Sequence, residues 1–255
     1  MHPILFRIGS LSVHAYGFML ALAFIAAIFV SRWHLKDRFV DSYVVYDIVL
    51  AAAIGGIIGA RIFYVIGNWS EFSSHPFEIL KFWNVAGLVF YGGLLGGALA
   101  VFLVIRLKRL PFWTIADMAG LSLALGLAIA RVGCFLNGCC YGRESALPWA
   151  VSFPQETRQT MGILGTQVHP TQIYELLLDL ALFAFLLIYR RKEEREGTIF
   201  LWFLLGYSGI RFFVEFFRAH NSTQAGPAFQ ILSLGIFLGA LGVFFLRRRL
   251  LPEAG

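Results

Sequence analysis

Long apolar segments alternate along this chain with short polar connections that are rich in basic residues. Seven of these segments are long enough, or nearly so, to cross about 30 Å of hydrocarbon as helices. They predict an all-α, polytopic membrane protein with seven transmembrane helices, built as a single integral-membrane domain over residues 1–255. The segments cover 13–32, 44–66, 87–105, 113–133, 173–189, 198–217 and 228–246.

The composition is that of a membrane protein. Hydrophobic residues make up 58% of the chain and charged residues only 14%, whereas a soluble domain carries about 25% charged residues. A single Arg precedes the first apolar segment, and no small-residue cleavage pattern accompanies it. We therefore expect this segment to stay attached rather than to act as a secretory signal.

The distribution of basic residues predicts the orientation of the segments. Of the 21 Lys and Arg residues, thirteen fall in connections on one side, five on the other side and three inside segments. Because basic connections stay in the cytoplasm, this asymmetry predicts an outside N-terminus and a cytoplasmic C-terminus. The net charge of +6 is then a topology signal, and no nucleic-acid partner is implied. We expect Asp47 and Asp117, near cytoplasmic ends, to cap helices or to meet basic connections.

Three arginines lie inside the apolar segments, namely Arg61, Arg131 and Arg211. A guanidinium group stays charged and costs at least ~2.5 kcal/mol at a bilayer centre, so each must face protein, water or an anion. With the predicted orientation, all three fall in the outer half of the bilayer. A shared depth is what a single anionic ligand at the level of the outer head groups would require.

A polar stripe runs along the sixth segment. On a helical wheel, Tyr207, Arg211, Glu215 and Arg218 lie within about 80° of one another. An Arg211 to Glu215 pair that neutralises itself for packing would explain part of the stripe. Arg218 adds a surplus positive charge, which favours an anion or a further carboxylate nearby.

The longest connection covers about 134–172 and is predicted to face outward. Gly138 and Gly142 permit backbone conformations that other residues avoid, and Asn137 offers both a donor and an acceptor. The amides of such a turn can cradle an oxyanion beside Arg131. A tight re-entrant turn without a ligand is the alternative. Near its end, His169 and Gln172 flank the start of the fifth segment, where a His is either a base or a hydrogen-bonded residue at a helix start.

The chain has three cysteines, Cys134, Cys139 and Cys140, all in the outward region. A Cys-x4-Cys-Cys cluster without a supporting His is weak evidence for a metal site, and a vicinal pair forms a disulfide only with strain. We interpret these residues as packing residues or as a local disulfide. No metal site and no cofactor are predicted, and the Gly-rich run at 92–97 is expected to permit close helix approach rather than nucleotide binding.

Together these motifs resemble the prolipoprotein diacylglyceryl transferase family of bacteria over nearly the whole chain. The most specific element is ARVGCFLNGCCYGR at 130–143, which is similar to the family's G-R-I-G-N-F-x-N-G-x-x-x-G-R-like signature. Supporting elements are VHAYG at 13–17, GIIGAR at 56–61, HPTQIYE at 169–175 and YSGIRFFVEFFR at 207–218.

The resemblance implies an enzyme that transfers the diacylglyceryl group from phosphatidylglycerol to the lipobox cysteine thiol of a prolipoprotein. The reaction forms a thioether, releases glycerol 1-phosphate and is the first step of bacterial lipoprotein maturation. The implied partners are phosphatidylglycerol, the prolipoprotein signal peptide and membrane lipid. The implied location is the bacterial plasma (inner) membrane, with the active site facing the outer leaflet, and we expect a monomer.

The resemblance also implies residue roles. Arg131 would hold the phosphatidylglycerol head group, and Arg211, supported by Glu215, would act on the phosphate or the leaving group. Other substrate-binding residues implied by the matching motifs, each with a packing alternative, are Tyr16, Asn137, Gly142, Arg218, Arg61, Tyr207, His169 and Gln172.

One position departs from the family's pattern. A His-Gly-Gly motif, suspected to supply the base for the acceptor thiol, reads Phe90-Tyr91-Gly92-Gly93 here. A phenol has a reference pKa near 10, so Tyr91 is a poor base unless a cationic field lowers that pKa. We expect Tyr91 to keep a hydrogen-bonding role in catalysis while the arginines lower the pKa of the substrate thiol. Two further positions also differ from the family's pattern. Cys134 stands where Asn is common in the family, and Cys139 stands where an acidic residue can occur.

Two other classes of function fit parts of the sequence. Gly206-Tyr207-Ser208-Gly209 matches the G-x-S-G of rhomboid-type intramembrane serine proteases, but no later segment contains a His to activate Ser208. A transporter for an anionic solute would also use buried arginines. Such folds usually have duplicated halves and broken helices at the midplane, and neither pattern is clear here.

Overall fold

The computed structural model describes residues 4–8, 11–36, 38, 40–41, 43–73, 77, 79, 90–161, 166–191, 195–219 and 226–250. Within these residues the chain is mainly helical. The elements in chain order are β1 (Ile4–Ile8), β2 (Leu11–His14), α1 (Ala15–Leu35), α2 (Val44–Gly67), α3 (Trp69–Phe72), α4 (Phe90–Leu107), α5 (Phe112–Asn137), α6 (Gln155–Met161), α7 (Thr171–Arg190), α8 (Thr198–Glu215) and α9 (Gly226–Leu250).

The long helices confirm a polytopic helical membrane protein. In the described part of the chain, six helices are long and apolar enough to span a membrane, namely α1, α2, α5, α7, α8 and α9. The third predicted segment corresponds to α4, whose apolar stretch Tyr91–Leu107 is shorter. Positions 87–89 of that predicted segment lie outside the described residues.

A short antiparallel hairpin precedes α1 and was not predicted. Strands β1 and β2 pair with Ile8 opposite Leu11, and the register shifts between Ile4 and Phe6. The strands are rich in β-branched and aromatic residues, which favour extended structure. Each is only four or five residues long, too short for a hydrophobic periodicity to stand out beside the long helix that follows.

The contacts divide the chain into two compact units, one formed by 31–115 and the other by 1–30 together with 116–255. In the unit 31–115, glycines allow α2 and α4 to approach at backbone distance. A Cβ atom added at Gly59 would lie 2.3 Å from the carbonyl oxygen of Gly92, and one added at Gly96 would lie 2.3 Å from that of Gly55. Small residues spaced four apart on both helices are typical of close packing within membranes. The predicted role of the Gly-rich run is therefore confirmed.

In the other unit, α7 and α8 pack along one apolar seam. Leu182 and Leu186 of α7 contact Ile199 and Phe203 of α8, together with Leu121 of α5. This seam fixes the register of α7 against α8 and so determines which polar residues meet toward the C-terminal end of α8. A second cluster joins α8 to α9.

The two aspartates near predicted cytoplasmic ends act as expected. The Asp117 carboxylate accepts hydrogen bonds from the backbone N–H groups of Gly197 (2.6 Å) and Phe200 (2.8 Å), at the start of α8. The Asp47 carboxylate lies 2.6 Å from the ammonium group of Lys108. Asp117 thus satisfies backbone donors that the first turn of a helix leaves without partners.

Candidate functional site

Three arginines from two helices and a connection meet two carboxylates in the unit formed by 1–30 and 116–255. Arg131 lies on α5, Glu175 on α7 and Arg211 and Glu215 on α8, while Arg218 follows α8. Glu175 is the centre: its Oε2 pairs with Arg131, and its Oε1 lies 2.6 Å from Nη1 of Arg211 and 2.8 Å from Nη2 of Arg218. We call these five residues the arginine cluster. It brings together Arg131, Arg211, Glu215 and Arg218, four of the residues that the resemblance implied for the substrate site.

Glu215 supports two of the arginines. Its Oε2 lies 3.2 Å from Nη2 of Arg211 and 3.9 Å from Nε of Arg218. The side chains of Glu175 and Glu215 are 1% and 2% exposed, and those of the arginines 13% to 16%. The carboxylates are therefore enclosed, while the guanidinium groups keep an accessible side. Three cations and two anions leave a surplus of one positive charge.

The arginine cluster also holds polar atoms without partners. Among the described residues, the buried Nε atoms of Arg131 and Arg218 have no hydrogen-bond partner. Outside the cluster, the buried Oε1 of Gln172, one turn before Glu175 on α7, has none either. Each guanidinium has five N–H donors, and the carboxylates engage only some of them. Two donors that no carboxylate engages, beside a surplus positive charge, are suited to an anionic group, and the acceptor of Gln172 is suited to a hydroxyl.

Asp179 is a buried carboxyl group that sequence reasoning missed. It lies on α7 one turn after Glu175 and is 1% exposed. Within the described part of the chain, neither of its oxygen atoms has a hydrogen-bond partner. Its electrostatic neighbours are Arg131, Glu175 and Arg211. Ionisation of Asp179 would cancel the surplus charge of the arginine cluster.

A tight turn after α5 carries several predicted residues. Asn137 is the last residue of α5, and Gly138 follows with a φ of +75°. This left-handed conformation favours glycine, and a Cβ atom at Gly138 would also lie 2.4 Å from the Thr157 side chain. Gln172 donates a 2.7 Å hydrogen bond to the Cys139 carbonyl oxygen, and Thr171 donates one of 2.7 Å to that of Cys140. The start of α7 therefore holds the turn against the end of α5.

Gly142 connects this turn to the end of α8. Gly142 forms an isolated antiparallel bridge with Arg218, and its N–H donates to the His169 carbonyl oxygen at 2.9 Å. The N–H of Arg143 donates to the Phe217 carbonyl oxygen at 2.9 Å, and its guanidinium donates to that of Phe216. These bonds fix the backbone from which the Arg218 side chain reaches Glu175.

His169 is a hydrogen-bonded residue before α7. Its Nδ1 lies 3.1 Å from the hydroxyl of Tyr174, which accepts a 2.8 Å hydrogen bond from Nε1 of Trp149. Its ring also meets Phe217 edge to face. Burial and the nearby positive charge of Arg143 lower the pKa of His169. These contacts agree with the helix-start alternative for this histidine.

The three cysteines are free thiols, and the disulfide considered from the sequence is not formed. Their Sγ atoms all lie within 4.8 Å of one another. Cys134 is buried at the end of α5, and Cys140 has a positive φ of 63°. Hydrogen bonding by Cys134 and Cys139, together with the charges of Arg218 and Arg131, lowers the pKa of the Cys140 thiol. We call these three residues the thiol cluster.

Two predicted tyrosines lie near the arginine cluster. Tyr207 on α8 stacks on Phe203 with 5.7 Å between ring centroids, and its electrostatic neighbours include Arg131 and Arg211. Tyr16, at the start of α1, packs against Gly133 of α5, where an added Cβ atom would lie 3.3 Å from its Cα. Both are therefore close to residues that the resemblance singled out.

Arg61 and Tyr91 belong to the unit 31–115. Arg61 on α2 is buried, donates from Nε to the Ile79 carbonyl oxygen at 3.2 Å and lies over the rings of Tyr64 and Phe72. These cation–π contacts stabilise its charge within its own unit. Tyr91, the second residue of α4, is 39% exposed. Their predicted roles at the substrate site stay predictions.

The environment of Ser208 does not favour a serine nucleophile. Its hydroxyl is buried and donates within α8 to the carbonyl oxygens of Leu204 (2.5 Å) and Leu205 (3.2 Å). In the part of the chain that the structure describes, no histidine hydrogen-bonds to it. The Ser208 hydroxyl therefore donates to backbone carbonyl oxygens and not to an adjacent base, which a nucleophilic serine requires.

The chain is similar to known proteins over nearly its whole length. The family model described as prolipoprotein diacylglyceryl transferase matches residues 3–246. A phosphatidylglycerol–prolipoprotein diacylglyceryl transferase of Nostoc sp. is 37% identical over 98% of this chain and 92% of its own length. Proteins of the same name are 38% identical in Geobacter sulfurreducens, over 98% and 97% of the two chains, and 37% identical in Bordetella avium, over 97% and 95%. The similarity therefore includes the arginine cluster and the turn after α5.

Proposed function

The chain belongs to the prolipoprotein diacylglyceryl transferase family, and we propose that it transfers the diacylglyceryl group of phosphatidylglycerol to the lipobox cysteine of prolipoproteins. The thiolate sulfur attacks the glycerol carbon that bears the phosphate. A C–S bond forms, the C–O bond breaks, and its electron pair leaves with glycerol 1-phosphate. This reaction is the first step of lipoprotein maturation, and the relatives named above carry both substrates in their names.

The surplus positive charge of the arginine cluster is the observation that carries this proposal. A phosphodiester has one negative charge, which equals the surplus left by three guanidinium groups and two carboxylates. The accessible sides of the three guanidinium groups can bind its oxygens. The free acceptor of Gln172 suits a hydroxyl group of the glycerol head. Charge and hydrogen-bonding capacity therefore both match phosphatidylglycerol.

Arg131 and Arg211 would have different roles at the phosphate. Arg131 binds the head group before the reaction. Arg211, held between Glu175 and Glu215, stabilises the negative charge that grows on the leaving phosphate. Fixed guanidinium groups in an enclosed site stabilise such charge without reorganisation during the reaction. Arg218 pairs with the same Glu175 oxygen as Arg211, so it adds a second cation on that side of the carboxylate.

The other half of the reaction requires a thiolate, because a free thiol with a pKa of about 8.5 is mostly protonated near neutral pH. We propose that the positive field of the cluster lowers the pKa of the substrate thiol and that Tyr91 donates or accepts a hydrogen bond. The other substrate-binding residues that we propose are Tyr16, Asn137, Gly142, Arg61, Tyr207 and His169. Of these, Gly142 and His169 would act indirectly, because their backbone groups help to position Arg218.

The membrane arrangement that we propose has seven spans, with α4 as the third. The N-terminus lies outside and the C-terminus in the cytoplasm of a bacterial inner membrane. Arg247, Arg248 and Arg249 in the last turn of α9 then face the cytoplasm, as the excess of basic residues favours. The arginine cluster lies in the outer half of the bilayer, where phosphatidylglycerol head groups and an exported signal peptide are both accessible.

An assay with purified protein tests this function. The full chain in detergent or nanodiscs is mixed with phosphatidylglycerol and a lipobox peptide, and the peptide is analysed by mass spectrometry. A thioether-linked diacylglyceryl adduct, together with released glycerol 1-phosphate, is expected. A peptide with Ser in place of the lipobox Cys is the control and gains no adduct. Absence of the adduct with the Cys peptide, from protein whose native fold has been verified, would exclude the proposed activity.

A further inference from the structure

The sulfur atoms of the thiol cluster are spaced almost as metal ligands are. All three Sγ atoms of Cys134, Cys139 and Cys140 lie within 4.8 Å of one another. Zinc binds thiolates at about 2.3 Å, which puts the sulfur atoms of one site about 3.8 to 4.0 Å apart. Movements of less than about 1 Å would therefore close the cluster around one ion.

The backbone that presents these sulfurs is fixed from several sides. Cys134 is buried in the last turn of α5, and its carbonyl oxygen accepts from the Cys139 N–H at 3.1 Å. The carbonyl oxygens of Cys139 and Cys140 accept from Gln172 and Thr171 at the start of α7. These hydrogen bonds preorganise the three thiols before any ion binds.

We propose that Cys134, Cys139 and Cys140 bind a Zn²⁺ ion whose fourth coordination position takes the thiol of the acceptor cysteine. Thiolates select soft or borderline cations, among them zinc and copper(I), over magnesium or calcium. Zinc takes four ligands, and a site with three protein ligands leaves one position for water or substrate. In the described part of the chain, no histidine or carboxylate joins the three sulfurs as a fourth ligand. The binding of the ion stands by itself, whereas its catalytic use rests on the proposed function.

A zinc ion at this site would generate the thiolate that the reaction requires. A thiol that coordinates Zn²⁺ is deprotonated by the charge of the ion, so its proton passes to water and no tyrosine base is required. The bound sulfur keeps a lone pair for attack on the glycerol carbon, where the C–S bond forms and the C–O bond breaks. The electron pair of the C–O bond leaves with glycerol 1-phosphate. The product thioether is neutral and a weaker ligand than a thiolate, so it leaves the zinc.

The two clusters carry net charges of opposite sign before lipid binds. Three thiolates and Zn²⁺ carry one negative charge, and a fourth thiolate raises this to two. Arg131 lies about one turn before Cys134 on α5, and the bridge between Gly142 and Arg218 places Arg218 opposite a residue two positions after Cys140. The arginine cluster would therefore stabilise the negative zinc site. The same arginines bind the phosphate in the proposed function. The nucleophilic sulfur of the peptide and the phosphate leaving group of the lipid would therefore both lie next to the arginine cluster.

The first test measures the metal. The full-length protein is purified under reducing conditions, and its zinc content is determined by mass spectrometry before and after dialysis against a strong chelator and reloading with Zn²⁺ or Cd²⁺. One ion per chain is expected, with an ultraviolet thiolate-to-metal charge-transfer band for Cd²⁺. Cys140→Ser and Cys134→Ala lose this binding, whereas Glu144→Ala, an exposed change in the same connection, retains it. Failure of the reduced protein to take up either ion, or two of the thiols joined in a disulfide, would overturn the proposal.

The second test asks whether the substrate thiol is the fourth ligand. Addition of a lipobox peptide to the Cd²⁺-loaded protein is expected to strengthen the charge-transfer band, and the Ser peptide leaves it unchanged. Removal of zinc should lower the rate of transfer at neutral pH at least tenfold, and zinc should restore it. Equal transfer by metal-free protein refutes the catalytic role while the proposed function stands. No transfer by zinc-loaded protein that binds the Cys peptide refutes the proposed function instead.

Discussion

Glu175 and Asp179 lie one turn apart on α7 and are both 1% exposed, but their carboxyl groups have opposite surroundings. The oxygens of Glu175 meet the guanidinium groups of Arg131, Arg211 and Arg218. Neither oxygen of Asp179 has a hydrogen-bond partner in the part of the chain that the structure describes. One carboxylate therefore holds three cations in place, while the other can change the net charge of the site without breaking an ion pair.

Replacing Glu175 with Gln should disrupt the arginine cluster. Among the contacts described above, the change leaves Arg211 and Arg218 with Glu215 as their ion-pair partner and leaves Arg131 with none. Removing one partner of a buried ion pair typically costs about 3 to 5 kcal/mol, so we expect a lower thermal midpoint and loss of diacylglyceryl transfer. Unfolding followed by tryptophan fluorescence measures the first effect. Glu144→Gln, an exposed change of the same chemistry, is the control, and an equal shift in both variants would contradict the bridging role of Glu175.

Replacing Asp179 with Asn tests the charge balance. Ionisation of Asp179 would cancel the surplus positive charge of the arginine cluster, which includes its neighbours Arg131 and Arg211. In the wild type, we expect the KM for phosphatidylglycerol to rise as the pH increases, because Asp179 then ionises and the site attracts the anionic lipid less strongly. Asp179→Asn should lose that dependence, because its side chain stays neutral, and Asp179→Glu should retain it. Identical pH dependence of KM in the wild type and the Asn variant would refute this role.

Replacing Arg211 should affect the chemical step more than binding. Loss of one donor that stabilises transition-state charge typically lowers kcat by about 10² to 10³-fold, and we expect this range for Arg211→Gln. Arg131→Lys keeps a charge but loses the planar fork, so its main effect should be a higher KM for phosphatidylglycerol. Arg249→Gln, at the exposed end of α9, should leave both constants unchanged. Steady-state kinetics with varied lipid concentration separate these effects, and a pure KM effect for Arg211→Gln would contradict its assignment.

The helices and the arginines were predictable because their signals are local. A run of some twenty apolar residues defines a span, and the α2 and α8 boundaries agree with the predicted 44–66 and 198–217 to within two residues. An arginine within such a run requires a partner. The stripe on α8 also identified Arg211 and Glu215 as neighbours, because they are four residues apart on one helix.

The partner of the arginines was not predictable in the same way. Glu175 is distant in sequence from Arg131 and Arg211, and only the packing of α7 against α8 and α5 brings them together. The surplus charge of the stripe did indicate a further carboxylate or an anion. Asp179 carried a weaker signal, a lone carboxylate between leucines in the run LLLDLAL. The closeness of the thiol groups depends on the backbone of the turn after α5, which residue spacing alone does not specify.

Replacing Gly142 with Ala should damage the site through the backbone. An added Cβ atom would lie 2.5 Å from both the Cβ of His169 and the carbonyl oxygen of Phe217. The turn after α5 would have to move away from the residues that follow α8, among them Arg218, with which Gly142 forms a strand-like pair. We expect transfer to fall more than tenfold. Gly235→Ala, where nothing lies within 4 Å of the new atom, is the matched control, and a Gly142→Ala variant as active as this control would show that the turn is adaptable.

Replacing Tyr91 with Phe decides whether its phenol takes the thiol proton. A hydrogen bond is typically worth about 0.5 to 1.5 kcal/mol, so a hydrogen-bonding role predicts a loss of transfer of up to about tenfold and an unchanged pH profile. A proton acceptor would instead be needed most at low pH, where few thiols are ionised. The Phe variant would then approach wild-type activity only as the pH rises and the thiol ionises without a base. Rates of thioether formation between pH 6 and pH 9 distinguish the two roles, and full activity of the Phe variant throughout this range would eliminate the phenol from both.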